Sequence, residues 1–337
     1  AARVVLASQS DSQCKFGPFM HDAKKHMVAH QTQTNAKVLI ACGLNREQLG
    51  ALVEEAIGGT TVPEDFEFST GDFSKYDATI SSPLQQVERY VYHRLFPANR
   101  TLIDAFMDRN QSAMKITSVT DDYFLKAQCA TSRASGDPNT TIGNSIIQSL
   151  FWEYVIYLLP SSLRPGIARI LVCGDDNIII GRRQSVQSIR RLSVRIANQL
   201  GMELTLEDST NKLARAEFLS GFFIRGYNSE QRLSIIHVAK PGRMLARTPL
   251  TGKIWNGQRE LLNLTKSKLL SLALELWYLP CVSDKAHSLS GQVMEGIPDD
   301  SYFGWNYMLN RNIQFTPCPL THEDLADRYP RYDHTVD

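Results

Sequence analysis

The sequence predicts an α+β fold: an antiparallel sheet with helices packed on one face. The clearest sign is Gly174-Asp175-Asp176, set between the aliphatic runs Ile170-Leu171-Val172-Cys173 and Asn177-Ile178-Ile179-Ile180, which reads as strand, tight turn, strand. A polar loop from Ser135 to Ser145 runs straight into an apolar helix spanning Ile146 to about Leu159. Elsewhere, strand-like stretches are separated by helical ones and recur as antiparallel hairpins, the pattern of a sheet covered by helices.

In chain order, Phe19 to about Gln31 reads as a helix, and Asn45 caps another that runs through Ile57. Phe66 to Asp72 alternates as a strand and delivers a carboxylate at its end. Asp77 falls in the turn before a helix from Ser82 to Leu95, with Ser82 as cap and Pro83 at the first helical position. Pro97-Ala98-Asn99 breaks the chain before a helix near Thr101–Met107, and residues 112–129 look strand-like, with Asp121-Asp122 marking a turn. After the Gly-Asp-Asp hairpin, Ser185–Leu200 is an amphipathic helix ended by Gly201. Short strands follow at Glu203–Leu206, Glu217–Ile224 and Arg232–Val238, and helices dominate from about Gly242 to Leu279. No internal repeat or low-complexity tract is evident, and the tail from Thr321 to Asp337 is polar and peripheral.

A chain of 337 residues with 43% apolar content can bury a large core and form more than one subdomain. No apolar run reaches the ~20 residues of a membrane span: the stretch from Ile146 to Leu159 is shorter and contains Gln148 and Glu153. The six cysteines are scattered without a Cys-x2-Cys pair and read as free thiols of a reducing compartment. His21, His26 and His30 share a helix beside Lys24 and Lys25, which reads as a solvated face before it reads as a zinc site. Net charge is only +1, so positive charge is local. One cluster is Arg182, Arg183, Arg190, Arg191 and Arg195, a solvated helix face. A second, Arg243, Arg247, Lys253 and Arg259, suits a nucleic-acid backbone.

Two adjacent carboxylates at the tip of a buried hairpin are electrostatically unfavourable without a cation, which invites a divalent metal. On that tripeptide alone a solvated turn is an equal alternative. The order Asp-x4-Asp, then Ser-Gly-Asp-x2-Thr-x3-Asn, then Gly-Asp-Asp changes the balance. It resembles motifs A, B and C of the viral RNA-dependent RNA polymerase family, in particular positive-strand viruses of tombusvirus-like and nodavirus-like type. Ala2-Arg3-Val4-Val5 is similar to the tail of motif F, and Cys42-Gly43-Leu44-Asn45 to a stretch of the fingers. Glu217-Phe218-Leu219-Ser220, followed by Lys240-Pro241-Gly242-Arg243, resembles motif E and the start of the thumb. The resemblance runs from residue 1 to about residue 250.

The resemblance implies a right-hand polymerase palm with partial fingers and a helical thumb. The expected division is partial fingers over residues 1–70, palm over 71–96, a fingers insertion over 97–134, palm again over 135–240, and thumb with tail over 241–337. Template-directed nucleotidyl transfer from ribonucleoside triphosphates follows, with Asp72 and Asp175 as principal ligands of two Mg²⁺ ions (Mn²⁺ able to substitute) and Asp176 as auxiliary. By the same resemblance, Asp77 and Asn144 read the ribose, helped by Ser135 and Thr140, with Asp137 orienting the group. Lys212 or Arg215 would neutralise departing pyrophosphate; Arg3, Arg243 and Arg247 would meet phosphate or RNA. The implied partners are RNA template and product, the nucleotides, and the rest of a viral replicase. Membranes would be reached through regions outside this chain, at replication complexes in the host cytoplasm.

Three other readings are weaker. A reverse transcriptase would exclude the 2′-hydroxyl with a bulky side chain where this chain has Asp77. A phosphohydrolase would bring histidine ligands. A polymerase-fold module kept only for assembly would not need Asp72, Asp175 and Asp176 intact. Family members carry several Lys and Arg of motif F ahead of the Arg-Val pair. The expectation is therefore a piece of a larger replicase in which residues 1–337 alone polymerise poorly.

Overall fold

The structure is a computed structural model that describes residues 10–31, 36–109, 114–117, 124–127, 133–228, 230, 232–248, 258–292 and 328. In chain order its first elements are α1 (Ser10–Gln31), β1 (Val38–Ile40), α2 (Arg46–Ile57), β2 (Phe66–Phe73), α3 (Tyr76–Thr79), α4 (Ser82–Leu95), α5 (Arg100–Arg109), β3 (Met114–Thr117) and β4 (Phe124–Ala127). Next come α6 (Thr140–Leu158), β5 (Ile167–Cys173), β6 (Asp176–Arg182), α7 (Arg183–Gln199) and β7 (Leu204–Leu206). The rest is β8 (Glu217–Phe218), β9 (Gly221–Tyr227), β10 (Leu233–Ala239), α8 (Pro241–Arg247), α9 (Gln258–Glu275) and α10 (Pro280–Gln292). These elements fall into two compact units, residues 1–44 with 65–209, and residues 45–64 with 210–337.

The first unit is built on a five-stranded sheet of order β1-β5-β6-β2-β7. Every neighbouring pair is antiparallel except β1 with β5, which is parallel. Ile170, Leu171, Val172, Ile178, Ile179 and Ile180 are all fully buried, which explains why β5 and β6 read as unbroken aliphatic runs rather than alternating ones. Helices α6 and α7 pack on this sheet, and Phe151, Trp152, Val155 and Ile189 join its core. Helix α6 begins at Thr140, earlier than the expected Ile146. Thr, Gly and Asn are poor helix formers, but here Ile142 through Gln148 are buried, and packing overrides propensity. Helix α1 likewise starts before the expected Phe19 and runs through Pro18. Strand β1, only three residues long, was invisible to pattern.

In the second unit β8, β9 and β10 form an antiparallel sheet. The single strand expected over Glu217–Ile224 is instead a hairpin. Leu219 and Ser220 both take positive φ (47° and 60°) between the paired residues Phe218 and Gly221. Such a two-residue turn normally advertises itself with Asn or Gly, which this one lacks. Helix α2 belongs to this unit. Asn45 and Gln48 form its capping box, Gly58 closes it at φ 77°, and Gly50 lets it lie against β10, where a Cβ would sit 1.8 Å from the Ile235 carbonyl oxygen.

Buried in this sheet, His237 donates from Nε2 to the Phe218 carbonyl at 2.7 Å. Loss of hydration lowers its pKa to about 4; the Phe218 bond opposes that shift and the Arg46 charge adds to it. A histidine depressed in the fold binds its proton first in the unfolded chain. Stability is therefore complete above the unfolded value of about 6.5 and lost as pH falls towards 4, by about 3 kcal/mol. Urea unfolding between pH 7 and 4 is expected to show this loss, and His237→Gln to flatten that part of the profile.

Candidate active site

Two strands carry the carboxylates. In β2, Gly71 pairs with Asn177 of β6, and Asn177 Nδ2 donates to the Gly71 carbonyl at 3.0 Å. A side chain at Gly71 would displace its neighbours: a Cβ there would lie 2.7 Å from Leu206 Cδ2 and 3.1 Å from Asn177 Oδ1. The next residue, Asp72, is exposed, as is Asp175 in the β5–β6 turn, where Gly174 takes φ 66°. Asp176 is half-buried at the start of β6 and pairs with Cys173. The Asp72 carboxyl is held above its usual pKa. Reduced hydration comes first, then the charges of Asp175 and Glu207, with a Phe73 backbone hydrogen bond working the other way. Glu207 is a further carboxylate near Asp72 that no local sequence signal marks; it accepts from Thr70 Oγ1 at 2.9 Å. Gln148, seen in sequence only as a break in an apolar run, is fully buried and donates to the Asp175 carbonyl at 2.8 Å.

This donor set fits a hard divalent cation. Hard cations take oxygen ligands, and a cation would offset both the reduced hydration and the carboxylate repulsion that raise Asp72. Among the described residues no three His, Cys, Asp or Glu side chains form a ready-made metal cage. Mg²⁺ commonly binds through one or two carboxylates plus substrate phosphate, so Asp72 and Asp175 are the residues that could supply the protein's share.

Beside them, Asp77 sits on the one-turn helix α3 rather than in an open turn. Its Oδ1 accepts from Asn144 Nδ2 at 2.7 Å and its Oδ2 from Ser135 Oγ at 2.5 Å. Residues from two separate stretches of sequence, Asp77 on one side and Ser135 and Asn144 on the other, thus meet in one hydrogen-bonded group. Asn144 is buried and its Oδ1 has no partner among the described residues, whereas Asp77 and Ser135 remain partly accessible. Thr140 uses its hydroxyl on the Ala134 and Asp137 carbonyls, at 2.8 and 2.9 Å, and Asp137 N–H donates to the Ala134 carbonyl. Both therefore fold the loop that presents Ser135.

Under this group lies an ion pair that pattern did not reveal. Arg133 Nη2 meets Glu88 Oε2 at 2.5 Å, with both side chains essentially inaccessible. Asn139 Nδ2 donates to Glu88 Oε1 at 2.8 Å, and Arg133 N–H donates to the Asp77 carbonyl at 2.9 Å. The missing side chain of Gly143 makes space for the pair, since a Cβ there would fall 2.2 Å from Glu88 Oε1. Breaking a buried pair strands a charge, so Glu88→Gln or Arg133→Met is expected to cost about 3–5 kcal/mol. The double variant Glu88→Leu/Arg133→Met should recover more than half of that loss in urea unfolding.

The cationic candidates are distributed differently. Arg182 and Arg183 face Asp65 and Glu67, and Arg190 donates to Ser69 Oγ and the Glu207 carbonyl, so these three brace β2 and its flanks. Arg243 and Arg247 lie on α8 in the second unit, where with Arg46, Lys240 and His237 they line a cavity of about 230 Å³. Arg243 donates to Ser220 Oγ. Lys212 precedes the short turn Leu213–Arg215 of the same unit, and Arg215 is its last residue. Arg3, Lys253 and the Asp121-Asp122 turn lie outside the described residues. On α1, the rings of His26 and His30 stack at 6.3 Å, and His26 meets Phe96 edge-on.

The fold is that of a viral polymerase. It is similar to the crystal structure of an insertion loop deletion mutant of the RNA-dependent RNA polymerase of a human picobirnavirus. The TM-score is 0.66 at 13% identity, over 93% of this chain and 59% of that one. A family profile described as viral RNA dependent RNA polymerase matches residues 20–250, and the chain belongs to that family. One curated relative is the genome polyprotein of Blackberry virus Y, and several others are RNA-directed RNA polymerases. That of maize chlorotic mottle virus is 28% identical over 177 residues (52% of this chain, 17% of the relative). That of Panicum mosaic virus is 30% identical over 141 residues (41% and 13%), and that of melon necrotic spot virus 24% over 215 (64% and 25%). The chain thus spans a quarter or less of each of these three.

Proposed function

We propose that this chain carries the catalytic palm of a viral RNA-directed RNA polymerase, with thumb and partial fingers, and that it joins ribonucleotides on an RNA template by a two-metal mechanism. The observation that carries this reading is the pair of exposed carboxylates, Asp72 and Asp175, on neighbouring elements of one sheet in a member of that family. When bound, two Mg²⁺ ions would activate the attacking 3′-oxygen and neutralise the departing pyrophosphate. The protein's own part is positioning. Asn177 and Gly71 fix the strand that bears Asp72, and Gln148 anchors the turn that bears Asp175. Phosphoryl transfer needs little else from a protein, because its catalysis is mostly alignment and charge stabilisation.

Ribose selection falls to Asp77 and Ser135, with Asn144 holding Asp77 in place from behind. A 2′-hydroxyl is both donor and acceptor, so a carboxylate beside a hydroxyl can satisfy it where a deoxyribose leaves both unpaired. Arg243 and Arg247 suit the phosphate backbone of template or product, and Lys212 or Arg215 the pyrophosphate. The remaining replicase and membrane-bound replication complexes are the setting this reading implies; among the described residues, no helix is long and apolar enough to cross a membrane. Intact carboxylates favour catalysis over a purely architectural module. The test is incorporation of labelled ribonucleotides on an RNA template with Mg²⁺ present, by a replicase that contains residues 1–337. Synthesis that ignores the template's sequence, or that survives chelation of divalent metal, rejects the proposal.

A further inference from the structure

Directly behind the Gly174 turn, two cysteines from distant parts of the first unit meet. Cys42 Sγ lies 3.1 Å from Cys173 Sγ, and 3.0 Å from Ser145 Oγ, which in turn accepts from Gly174 N–H at 2.7 Å. The placement follows from β1 running parallel to β5. Ala41 N–H donates to the Val172 carbonyl at 2.8 Å, so the residue leaving β1 arrives beside the residue ending β5. Both thiols are free. Cys42 is buried, whereas Cys173 is partly accessible.

We propose that Cys42 and Cys173 form a reversible oxidation site, a dithiol that closes to a disulfide in the presence of peroxide. Two free sulfurs this close need only a small movement to bond, and a thiol that reaches solvent next to a buried one matches an attacked cysteine with its resolving partner. The chemistry balances. Cys173 sulfur attacks hydrogen peroxide, the O–O bond breaks, and the departing hydroxide takes the Cys173 proton, leaving sulfenic acid and one water. Cys42 sulfur then displaces the sulfenic hydroxyl, which leaves with the Cys42 proton as a second water. Two thiols and one peroxide yield one disulfide and two waters, and a thiol reductant reverses it. In a reducing compartment such a disulfide is transient, as for other redox-sensing pairs.

Position gives the site its consequence, and that part rests on the polymerase reading. Cys173 immediately precedes Gly174-Asp175-Asp176, and Ser145 bonds Gly174 while touching Cys42. Drawing the sulfurs together therefore shifts the turn that carries Asp175. Misplacing a reacting group by about 1 Å can cost on the order of 100-fold in rate.

The test is to treat the reduced chain with hydrogen peroxide, block residual thiols with N-ethylmaleimide and digest without reductant. Mass spectrometry should find one cross-linked peptide joining Cys42 to Cys173, two hydrogens lighter than its parts and lost on dithiothreitol. Cys281→Ser should leave that peptide in place, and Cys42→Ala or Cys42→Ser should abolish it. Separate alkylation of Cys42 and Cys173, or Cys173 carried on to sulfinic acid without a link, overturns the site. In a chain that incorporates nucleotide, oxidation should lower the rate at least ~10-fold, with recovery on reduction. A linked chain with full incorporation overturns the coupling to the turn. The linked peptide forms whether or not the chain polymerises, so failure of the polymerase reading is distinguishable from failure of this one.

Discussion

Asp72→Asn and Asp175→Asn each lower ribonucleotide incorporation by ~10³-fold or more, the result expected if the two carboxylates are the protein's share of the metal site. Each change removes a full negative charge at nearly constant shape. Metal-assisted charge stabilisation is worth several kcal/mol, and about 4 kcal/mol corresponds to ~10³ in rate. Stability should move the other way in the metal-free chain. The Asp72 carboxyl is raised by reduced hydration and by the charges of Asp175 and Glu207, so its ionisation works against the fold. For a carboxyl raised in the folded state the penalty is absent below the unfolded value of about 3.9 and complete above the folded value. With a chelator present, Asp72→Asn should therefore melt higher than the parent at pH 7 and equally near pH 3. Near-normal turnover in either variant, measured in single-turnover assays with saturating Mg²⁺, removes both residues from the metal site.

Those two aspartates were legible because local signals coincide around them. The β5–β6 hairpin has aliphatic arms and a glycine at positive φ; β2 carries Asp72 one residue before its end, after aromatic and small residues. The Ser135–Asn144 stretch was legible for a similar reason, as a polar loop feeding an apolar helix. What sequence did not disclose depends on pairings between distant residues. Glu88 sits on a helix whose neighbours Gln86 and Tyr90 are exposed, and nothing local says that its partner arrives from Arg133. A charge on an amphipathic helix reads as solvated until the structure buries it. Strand β1 is too short for periodicity to register, yet it is what carries Cys42 to Cys173. The β8–β9 turn was hidden because Leu219 and Ser220 carry no turn signature, and the assignment of α2 to the second unit follows from Gly50 against Ile235, a contact no window of sequence contains.

Loss of Asp77 or Asn144 should show itself in sugar choice, with ribonucleotide incorporation falling while deoxynucleotide incorporation holds. Asp77 has its two oxygens bound by Asn144 and Ser135, so its direction is fixed by residues of the loop and of α6. Asp77→Ala removes the charged acceptor that a ribose hydroxyl would use. Asn144→Ala leaves the carboxylate but frees it to turn, which makes Asn144 a positioning residue. A hydrogen bond to a charged group is worth about 1.5–3 kcal/mol, or roughly 10- to 150-fold in discrimination. Incorporation of ribonucleotides should fall by that factor in Asp77→Ala and by a smaller one in Asn144→Ala. Deoxynucleotides, which never made the contact, should change little, so the ribo-to-deoxy ratio shrinks in both. A structural defect would depress both substrates together and lower the melting temperature. The ratio separates the two cases, and an unchanged ratio in single-turnover measurements would return Asp77 and Asn144 to the role of loop scaffolding.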